Sequence, residues 1–392
     1  MVKKLGLFKG VSRNLRHLFP RVAKKISPDL INSDQVKVLM ISSNGSGLGH
    51  LTRLWAIEKN LNANVLTYSM SSAYYKLGKP NGRIIYFPSY GDLGMHARIW
   101  SIGLAGHLGA VVEAFRPHAI VFDGTYVYRG VQSVSKRYNV PIYWIQRGCW
   151  KPEVDEKSRQ RHQPNKFASL VIVPGDYGCQ ETVDAGELKP VYTPPVLLNE
   201  AGARPSRDFV LRKLGLNPNK KYVLIQLGGG VINDNSSVKE ASIKYVQKLG
   251  KDWEPVVVKN PLEKSDAYSG VESISAFPLT KLFSAFEFGI FAAGYNSVQE
   301  SVHFGMPAVF IPNLETVTDD QLRRAQTIES RGLGYCAVDV QGLGEAIDLL
   351  AETSVRTRMR ERMGEAREPN GASIAAKYIE QKIENTYGNG IE

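Results

Sequence analysis

Short apolar runs alternate with segments of helical periodicity along most of the chain. The runs, such as Val36–Ser42 and Ala119–Phe122, are rich in β-branched and aromatic residues and end in polar or glycine loops. Between them, segments such as His50–Leu61 and Val131–Arg137 repeat apolar residues at spacings of three and four. Strands that are apolar throughout and alternate with helices are typical of a parallel sheet covered on both faces. The pattern therefore predicts an α/β fold with doubly wound, Rossmann-like sheets.

The alternation stops once and then begins again. Leu170–Pro174 is predicted as the last strand of the first half, and the proline-containing stretch after it has the composition of a linker. The pattern restarts at Tyr222–Leu227, and 392 residues are too many for one ordinary core. We therefore predict two Rossmann-like domains facing a cleft, at 37–195 and 207–370, joined by a linker at 196–206. Residues 371–392 are predicted as a C-terminal helix that could cross back to the first domain.

Residues 1–36 form a basic amphipathic N-terminal segment. They contain eight lysines and arginines against two aspartates, a net +6 out of +11 for the whole chain. Apolar residues from Phe8 to Ile26 recur at helical spacing, and Pro20 is expected to divide the segment into two short helices. Such a segment is typical of binding to an anionic membrane surface. A solvated tail, a helix packed on its own domain, and a partner-binding arm remain open as alternatives.

The remaining composition excludes several classes of protein. No apolar run reaches the about 18–20 residues of a membrane span, and the N-terminus lacks the apolar core of a secretory signal. The three cysteines, Cys149, Cys179 and Cys336, are odd in number and widely spaced, which favours idle thiols in a reducing compartment. No His/Cys grouping has metal-ligand spacing, so no metal site is predicted. We expect a cytoplasmic chain, peripheral on the inner face of the membrane if residues 1–36 bind there.

Two features of the first half are candidates for acid–base chemistry. A glycine loop containing Gly47 and Gly49 follows the first strand and leads into His50 at the start of a helix. Asp123 stands at the end of a later strand, where a carboxylate could hold an imidazole by a hydrogen bond. Taken alone, the histidine is more often structural, and the aspartate is more often a turn or helix-cap residue.

The most specific pattern lies in the second half. A strand at Phe288–Phe291 ends in a loop of small residues, and a helix follows near Ser297. Backbone amides at such a helix start, together with the Ser297 hydroxyl, can cradle a diphosphate. Glu300 lies one turn further, where it can accept hydrogen bonds from ribose hydroxyls. Because ligands bind outside the carboxyl ends of parallel strands, this loop and the glycines after Tyr222–Leu227 should both face the cleft.

This second-half pattern resembles the donor-sugar box of the UDP-glycosyltransferases of GT-B fold, and it is similar to that of the bacterial GlcNAc transferases acting on lipid-linked muropeptide. The resemblance spans residues 37–380, and it departs from the plant members at Ala292, where they carry a histidine. It implies that His50 is the catalytic base and Asp123 its partner. It implies a donor site built by these residues: Gly228, Gly229, Gly230, Gly294, Asn296, Ser297, Glu300, Asp320 and Gln321.

The resemblance implies that a sugar is transferred from a nucleotide-diphosphate donor to an acceptor hydroxyl, with inversion and without a metal ion. It also implies that the donor is a UDP-sugar. The nucleotide sugar is a co-substrate, so no cofactor is expected, and the acceptor could be lipid-linked or a glycolipid. An epimerase or hydrolase of the same fold and a catalytically silent partner of another transferase remain alternatives, because fold does not fix function. Only the net charge suggests a nucleic-acid acceptor, and we expect none.

Overall fold

The first half of the chain forms a seven-stranded sheet in which every strand is parallel to its neighbours. Its strand order is β3-β2-β1-β4-β5-β6-β7. The computed structural model describes residues 22–43, 48–78, 82–147, 149–179, 187–200, 202, 204–228, 236–259 and 270–388. The strands are β1 (Lys37–Ser42), β2 (Asn64–Ser69), β3 (Ile84–Tyr86), β4 (Ala119–Asp123), β5 (Ile142–Ile145), β6 (Leu170–Pro174) and β7 (Val191–Thr193).

The second half repeats this plan with six parallel strands in the order β10-β9-β8-β11-β12-β13. These strands are β8 (Lys221–Gln226), β9 (Trp253–Val258), β10 (Glu272–Ile274), β11 (Phe288–Ala292), β12 (Ala308–Ile311) and β13 (Tyr335–Cys336). The prediction of two doubly wound sheets is thus confirmed.

Helices connect the strands. In the first half they are α1 (Pro28–Ile31), α2 (Gly49–Glu58), α3 (Ala97–Phe115), α4 (Arg129–Tyr138), α5 (Pro152–Asp155) and α6 (Arg159–His162). In the second half they are α7 (Arg207–Leu214), α8 (Ser236–Lys248), α9 (Tyr295–Phe304), α10 (Gln321–Ser330), α11 (Val340–Ala351), α12 (Thr353–Ala366) and α13 (Ala372–Tyr387). Within the described ranges, no helix combines the length and the apolar character that a membrane crossing needs.

Separate apolar clusters stabilise the two halves. One lies on each face of the first sheet, and a third surrounds the second sheet. Helix α13 joins the first half, since Ala372, Ala376 and Ile379 are buried against the β1 face of the first sheet. The last helix of the chain therefore covers the sheet that the chain builds first.

The prediction that Leu170–Pro174 ends the first half is wrong, because β7 follows it and pairs with it in parallel. This strand has only three residues, lies at the sheet edge and leaves Tyr192 46% exposed, so no run of apolar residues marks it.

Part of the N-terminal segment packs on its own domain. Val22, Ile26 and Leu30 are buried in the cluster that contains Leu104 and Leu108 of α3. Of the alternatives left open for this segment, packing on its own domain therefore holds for Val22, Ile26 and Leu30, because α3 offers them an apolar surface of the same chain. Residues 1–21, with Pro20 and the remaining apolar positions, lie outside the described part of the chain.

Candidate active site

His50 and Asp123 meet at the carboxyl edge of the first sheet. Asp123 is the last residue of β4, and its register partner on β1 is Ser42, after which the chain turns into α2. His50 is the second residue of that helix, and its Nδ1 lies 2.7 Å from Oδ1 of Asp123. The Asp123 side chain is fully buried, whereas 20% of the His50 side chain is exposed. Part of the imidazole therefore remains accessible while its carboxylate partner is enclosed.

The protonation of this pair follows from its surroundings. Burial raises the pKa of Asp123, but the positive charge of Arg53 and the hydrogen bonds from His50 and Arg53 outweigh burial and hold the pKa below its usual range. An ionised carboxylate only accepts hydrogen bonds, so Nδ1 of His50 carries the proton and Nε2 keeps a free lone pair. Burial also lowers the pKa of His50, and Asp123 only partly opposes this effect. A neutral imidazole with a free Nε2 is the form that a general base needs.

Arg53 completes this cluster, although the sequence analysis did not assign it a role. Its Nε and Nη2 donate to the two Asp123 oxygens at 2.7 and 2.6 Å. The side chain is 3% exposed. The available signal was its spacing, since residues three apart on a helix share a face and Arg53 follows His50 by three.

The residues predicted to hold the donor lie at the start of α9, next to the helix that carries His50. Gly294 is the residue before the helix, and an added Cβ at this position would meet no heavy atom within 4 Å. Asn296 and Ser297 are in the first turn, and Nδ2 of Asn296 donates to the backbone oxygen of Gly49 at 3.4 Å. This bond joins the helix that carries His50 to the helix that follows β11. Open space before a helix N-terminus is suitable for an anion.

Glu300 lies one turn further along α9 and is partly buried. Burial raises the pKa of its carboxyl group to about 7. Among the residues that the structure describes, none forms a hydrogen bond or ion pair with this carboxylate. A buried carboxylate without a partner is costly, and a ligand hydroxyl would lower that cost.

The glycines proposed beside the donor fall partly outside the described residues. Gly228 follows β8 with a φ of 78°, a left-handed conformation that favours glycine and turns the chain at the strand's carboxyl end. Gly49 is the first residue of α2, and an added Cβ there would lie 3.9 Å from Nδ2 of Asn296. Gly47, Gly229 and Gly230 lie outside the described part of the chain.

Asp320 and Gln321 shape the start of α10. The Asp320 side chain accepts a hydrogen bond from the Arg323 amide at 3.0 Å and so acts as the helix cap. Gln321 accepts from the Asn313 amide at 3.0 Å through its side-chain oxygen. Both residues therefore fix the loop that follows β12, at the same sheet edge as the start of α9.

A buried ionic network links this loop to the first domain. Arg324 is fully buried and donates to Asp176 at 2.7 Å and to Asp319 at 2.8 Å. Asp176 follows β6 of the first sheet and also accepts from Nε2 of Gln299 at 2.7 Å. These contacts could not be predicted from the sequence, because their members are far apart in the chain and carry no local motif.

The cysteines are not as separate as their spacing in the chain suggested. Cys149 and Cys179 are buried and form no disulfide, and Nη2 of Arg323 lies 3.8 and 3.3 Å from their sulfurs. A hydrogen bond that the Cys149 thiol donates to Cys179, together with burial, raises the pKa of Cys149, so the thiol form is favoured. Among the described residues, no group of three or more His, Cys, Asp or Glu side chains could hold a metal ion.

Comparison with known proteins places this geometry among glycosyltransferases. No protein-family model matches the chain. The chain is 23% identical over 295 residues to the UDP-N-acetylglucosamine--N-acetylmuramyl-(pentapeptide) pyrophosphoryl-undecaprenol N-acetylglucosamine transferase of Symbiobacterium thermophilum, covering 71% of this chain and 74% of the relative. A corresponding transferase of Thermosipho africanus is 24% identical, covering 69% of this chain and 73% of the relative.

Solved structures agree on the fold. MurG of Acinetobacter baumannii superposes with a TM-score of 0.56 at 15% identity, covering 88% of this chain and 99% of that chain. The kitacinnamycin glycotransferase gives a TM-score of 0.61 at 16% identity, covering 88% of this chain and 98% of that chain. The chain has the GT-B fold, and the sequence relatives identify it as a glycosyltransferase.

Proposed function

We propose that this chain transfers a sugar from a UDP-sugar to a hydroxyl of a lipid-linked acceptor, with inversion at the anomeric carbon and without a metal ion. The observation that carries the proposal is the pairing of His50 with Asp123 at 2.7 Å, opposite the open start of α9. The sequence relatives are named as enzymes that act on UDP-N-acetylglucosamine and a pyrophosphoryl-undecaprenol acceptor. These names support the proposed classes of donor and acceptor.

In the proposed reaction, Nε2 of His50 removes the proton of the acceptor hydroxyl. The acceptor oxygen attacks the anomeric carbon from the face opposite the leaving group, and the bond to the diphosphate breaks. Asp123 stabilises the imidazolium that forms, and the proton later leaves to solvent. The N-terminus of α9 meets the negative charge that develops on the diphosphate, because helix amides and the helix dipole favour anions.

Glu300 and the loop around Asp320 are proposed to hold the rest of the donor. The unpartnered Glu300 carboxylate is positioned on the helix that begins at the diphosphate site, at a distance of one turn. This position is suited to the ribose hydroxyls. Asp320 and Gln321 are proposed to contact the donor sugar through the polar atoms that capping leaves available.

An exposed apolar surface at the sheet edge that carries His50 supports an acceptor presented by a membrane. Tyr90, Leu93, Met95 and Ile99 are 38 to 60% exposed in the segment that runs from β3 into the first turn of α3 and starts at the same sheet edge as His50. Arg98 lies among them. Exposed apolar side chains with a neighbouring cation are suited to the boundary between lipid tails and anionic headgroups. We therefore propose a peripheral position at the inner face of the cytoplasmic membrane.

The deciding experiment measures UDP release and glycosylated product together. UDP-N-acetylglucosamine is incubated with the chain, with or without a muramyl-pentapeptide pyrophosphoryl-lipid, and with EDTA in a parallel set. We expect UDP release that requires the acceptor, resists EDTA, and yields a product with inverted anomeric configuration by NMR. Equal UDP release without acceptor would identify a hydrolase. Interconversion of the nucleotide sugar without net release would identify an epimerase.

A further inference from the structure

Arg53 occupies a position between the two halves of the site. Its guanidinium donates to both oxygens of Asp123, at 2.7 and 2.6 Å, and its Nη2 lies 3.3 Å from Nδ1 of His50. The fork of a guanidinium matches a carboxylate in geometry and stays charged at every relevant pH. Asp123 therefore has two partners, of which the mechanism above uses only His50.

The planar face of the guanidinium contacts the second domain. Its central carbon is 4.8 Å from the centroid of the Tyr295 ring, and Tyr295 is the first residue of α9. The Tyr295 hydroxyl donates to the backbone oxygen of Gly175 at 2.9 Å and accepts from the Val196 amide at 3.1 Å. The ring is thus fixed from the first domain, and Arg53 is held between this ring and the Asp123 carboxylate.

We propose that Arg53 is a positioning residue for the transfer reaction, whose fork orients Asp123 towards His50 and whose charge opposes a second proton on the imidazole. The inference rests on the proposed function, because it assigns Arg53 a part in the same dyad. Because Arg53 also contacts Tyr295, the inference links the start of α9 to the position of His50.

The charges around His50 support this role. Asp123 faces it from β4, Arg53 from its own helix, and Arg147 from the end of β5. Asp319, from the loop after β12, lies 3.6 Å from Arg147, but Arg324 already binds it at 2.8 Å. Two cations thus act on an imidazole that has one carboxylate as its partner. Arg53 and Arg147 lower the pKa of His50 beyond the effect of burial.

Three variants separate the possible roles of Arg53. Arg53→Met removes charge and fork, Arg53→Lys keeps the charge but loses the fork, and Tyr295→Phe keeps the ring but loses the hydroxyl. The pKa of His50 is measured by NMR on histidine-labelled full-length protein, with the signal assigned from His50→Gln. The pH dependence of kcat is measured alongside, and thermal unfolding reports whether each variant is folded.

With the Met variant, we expect the pKa of His50 to rise by about 1 or more, because a cation within about 6 Å is removed. The acidic limb of kcat should move to higher pH by the same amount. With the Lys variant, the pKa should stay near that of the wild type while kcat falls about 10- to 100-fold from misorientation. Tyr295→Phe should leave the pKa of His50 unchanged.

An unchanged His50 pKa in a folded Arg53→Met protein would overturn the electrostatic part of the proposal. Should the Met variant fail to fold, Arg53→Lys carries the test, and wild-type kcat in that variant would overturn the positioning part. The NMR titration needs no turnover. A wild-type protein that transfers no sugar would therefore contradict the proposed function, while the titration would still decide whether Arg53 controls His50.

Discussion

The unpartnered Glu300 carboxylate leads to a prediction about stability as well as binding. Burial raises its pKa from 4.5 to about 7, so the folded protein holds a proton here that the unfolded chain releases near pH 4.5. Stability therefore falls as pH rises from about 4.5 to about 7 and remains lower above that range. At about 1.36 kcal/mol for each unit of pKa, the full cost of the ionised carboxylate is about 3 kcal/mol.

Glu300→Gln removes this ionisation with little change in shape. In urea unfolding we expect the variant to be more stable than the wild type by about 3 kcal/mol at pH 8, and by less than about 1 kcal/mol at pH 5. Glu254→Gln is the matched control, since Glu254 is in the same domain, is 38% exposed and pairs with Lys220 at 3.2 Å. Its effect should stay within about 0.5 kcal/mol at both pH values.

The same substitution should weaken donor binding. Loss of a charged hydrogen-bond partner costs about 1–3 kcal/mol, which corresponds to roughly 5- to 150-fold in Kd for the UDP-sugar measured by calorimetry at pH 8. For the wild type, binding should also weaken as pH falls below about 7, because the carboxylate must then lose a proton to accept from ribose. A stability difference that is equal at pH 5 and pH 8 would refute the buried carboxylate. An unchanged Kd would remove ribose recognition from Glu300.

Two further predictions concern the base and the N-terminus. His50→Ala should lower kcat by about 10²–10⁴ and leave the donor Kd nearly unchanged, and near-normal turnover of this variant would contradict the assignment. Asp123→Asn should lower kcat less, but it should also destabilise the fold, because Arg53 loses its anion. Deletion of residues 1–20 should abolish sedimentation with anionic liposomes and leave thermal unfolding unchanged, whereas deletion of 1–34 should lower the melting temperature because Val22, Ile26 and Leu30 are buried. Indifference of the full-length chain to anionic liposomes at low salt would show that the segment does not bind membrane.

The central strands could be predicted from sequence because both of their faces are buried. β1, β4, β8 and β11 consist almost entirely of buried residues, so each reads as an uninterrupted apolar run. β7, β10 and β13 have two or three residues each and lie at sheet edges, where one neighbouring strand and partial exposure leave no pattern. What could be predicted was therefore the middle of each sheet and the edge strand β3, whose residues Ile84–Tyr86 are apolar, but not the other three edge strands.

The site divides in the same way. The neighbourhood of His50 and Asp123 followed from a general rule, since both stand at carboxyl ends of adjacent parallel strands. The partnership of Arg53 with Asp123 did not follow, because an arginine on an amphipathic helix is most often solvated. The link between Asp176 and Arg324 joins residues 148 positions apart, and nothing near either residue announces the other.

These missed contacts determine how the two halves of the site face each other. The apolar clusters are largely confined to one half each, although Tyr177 of the first half joins the cluster around the second sheet and Phe277 of the second half packs against a cluster of the first sheet. Described contacts across the cleft are instead largely polar: Arg324 with Asp176, Gln299 with Asp176, and Asn296 with Gly49. A buried ion pair adds little net stability, but removing one partner costs about 3–5 kcal/mol. Such pairs therefore destabilise a misaligned arrangement of the domains more than they stabilise the aligned one. A polar interface of this kind is compatible with domain motion, and its directional bonds define the arrangement seen in this structure. The distance between His50 and α9 is therefore controlled mainly by directional bonds rather than by a shared apolar core.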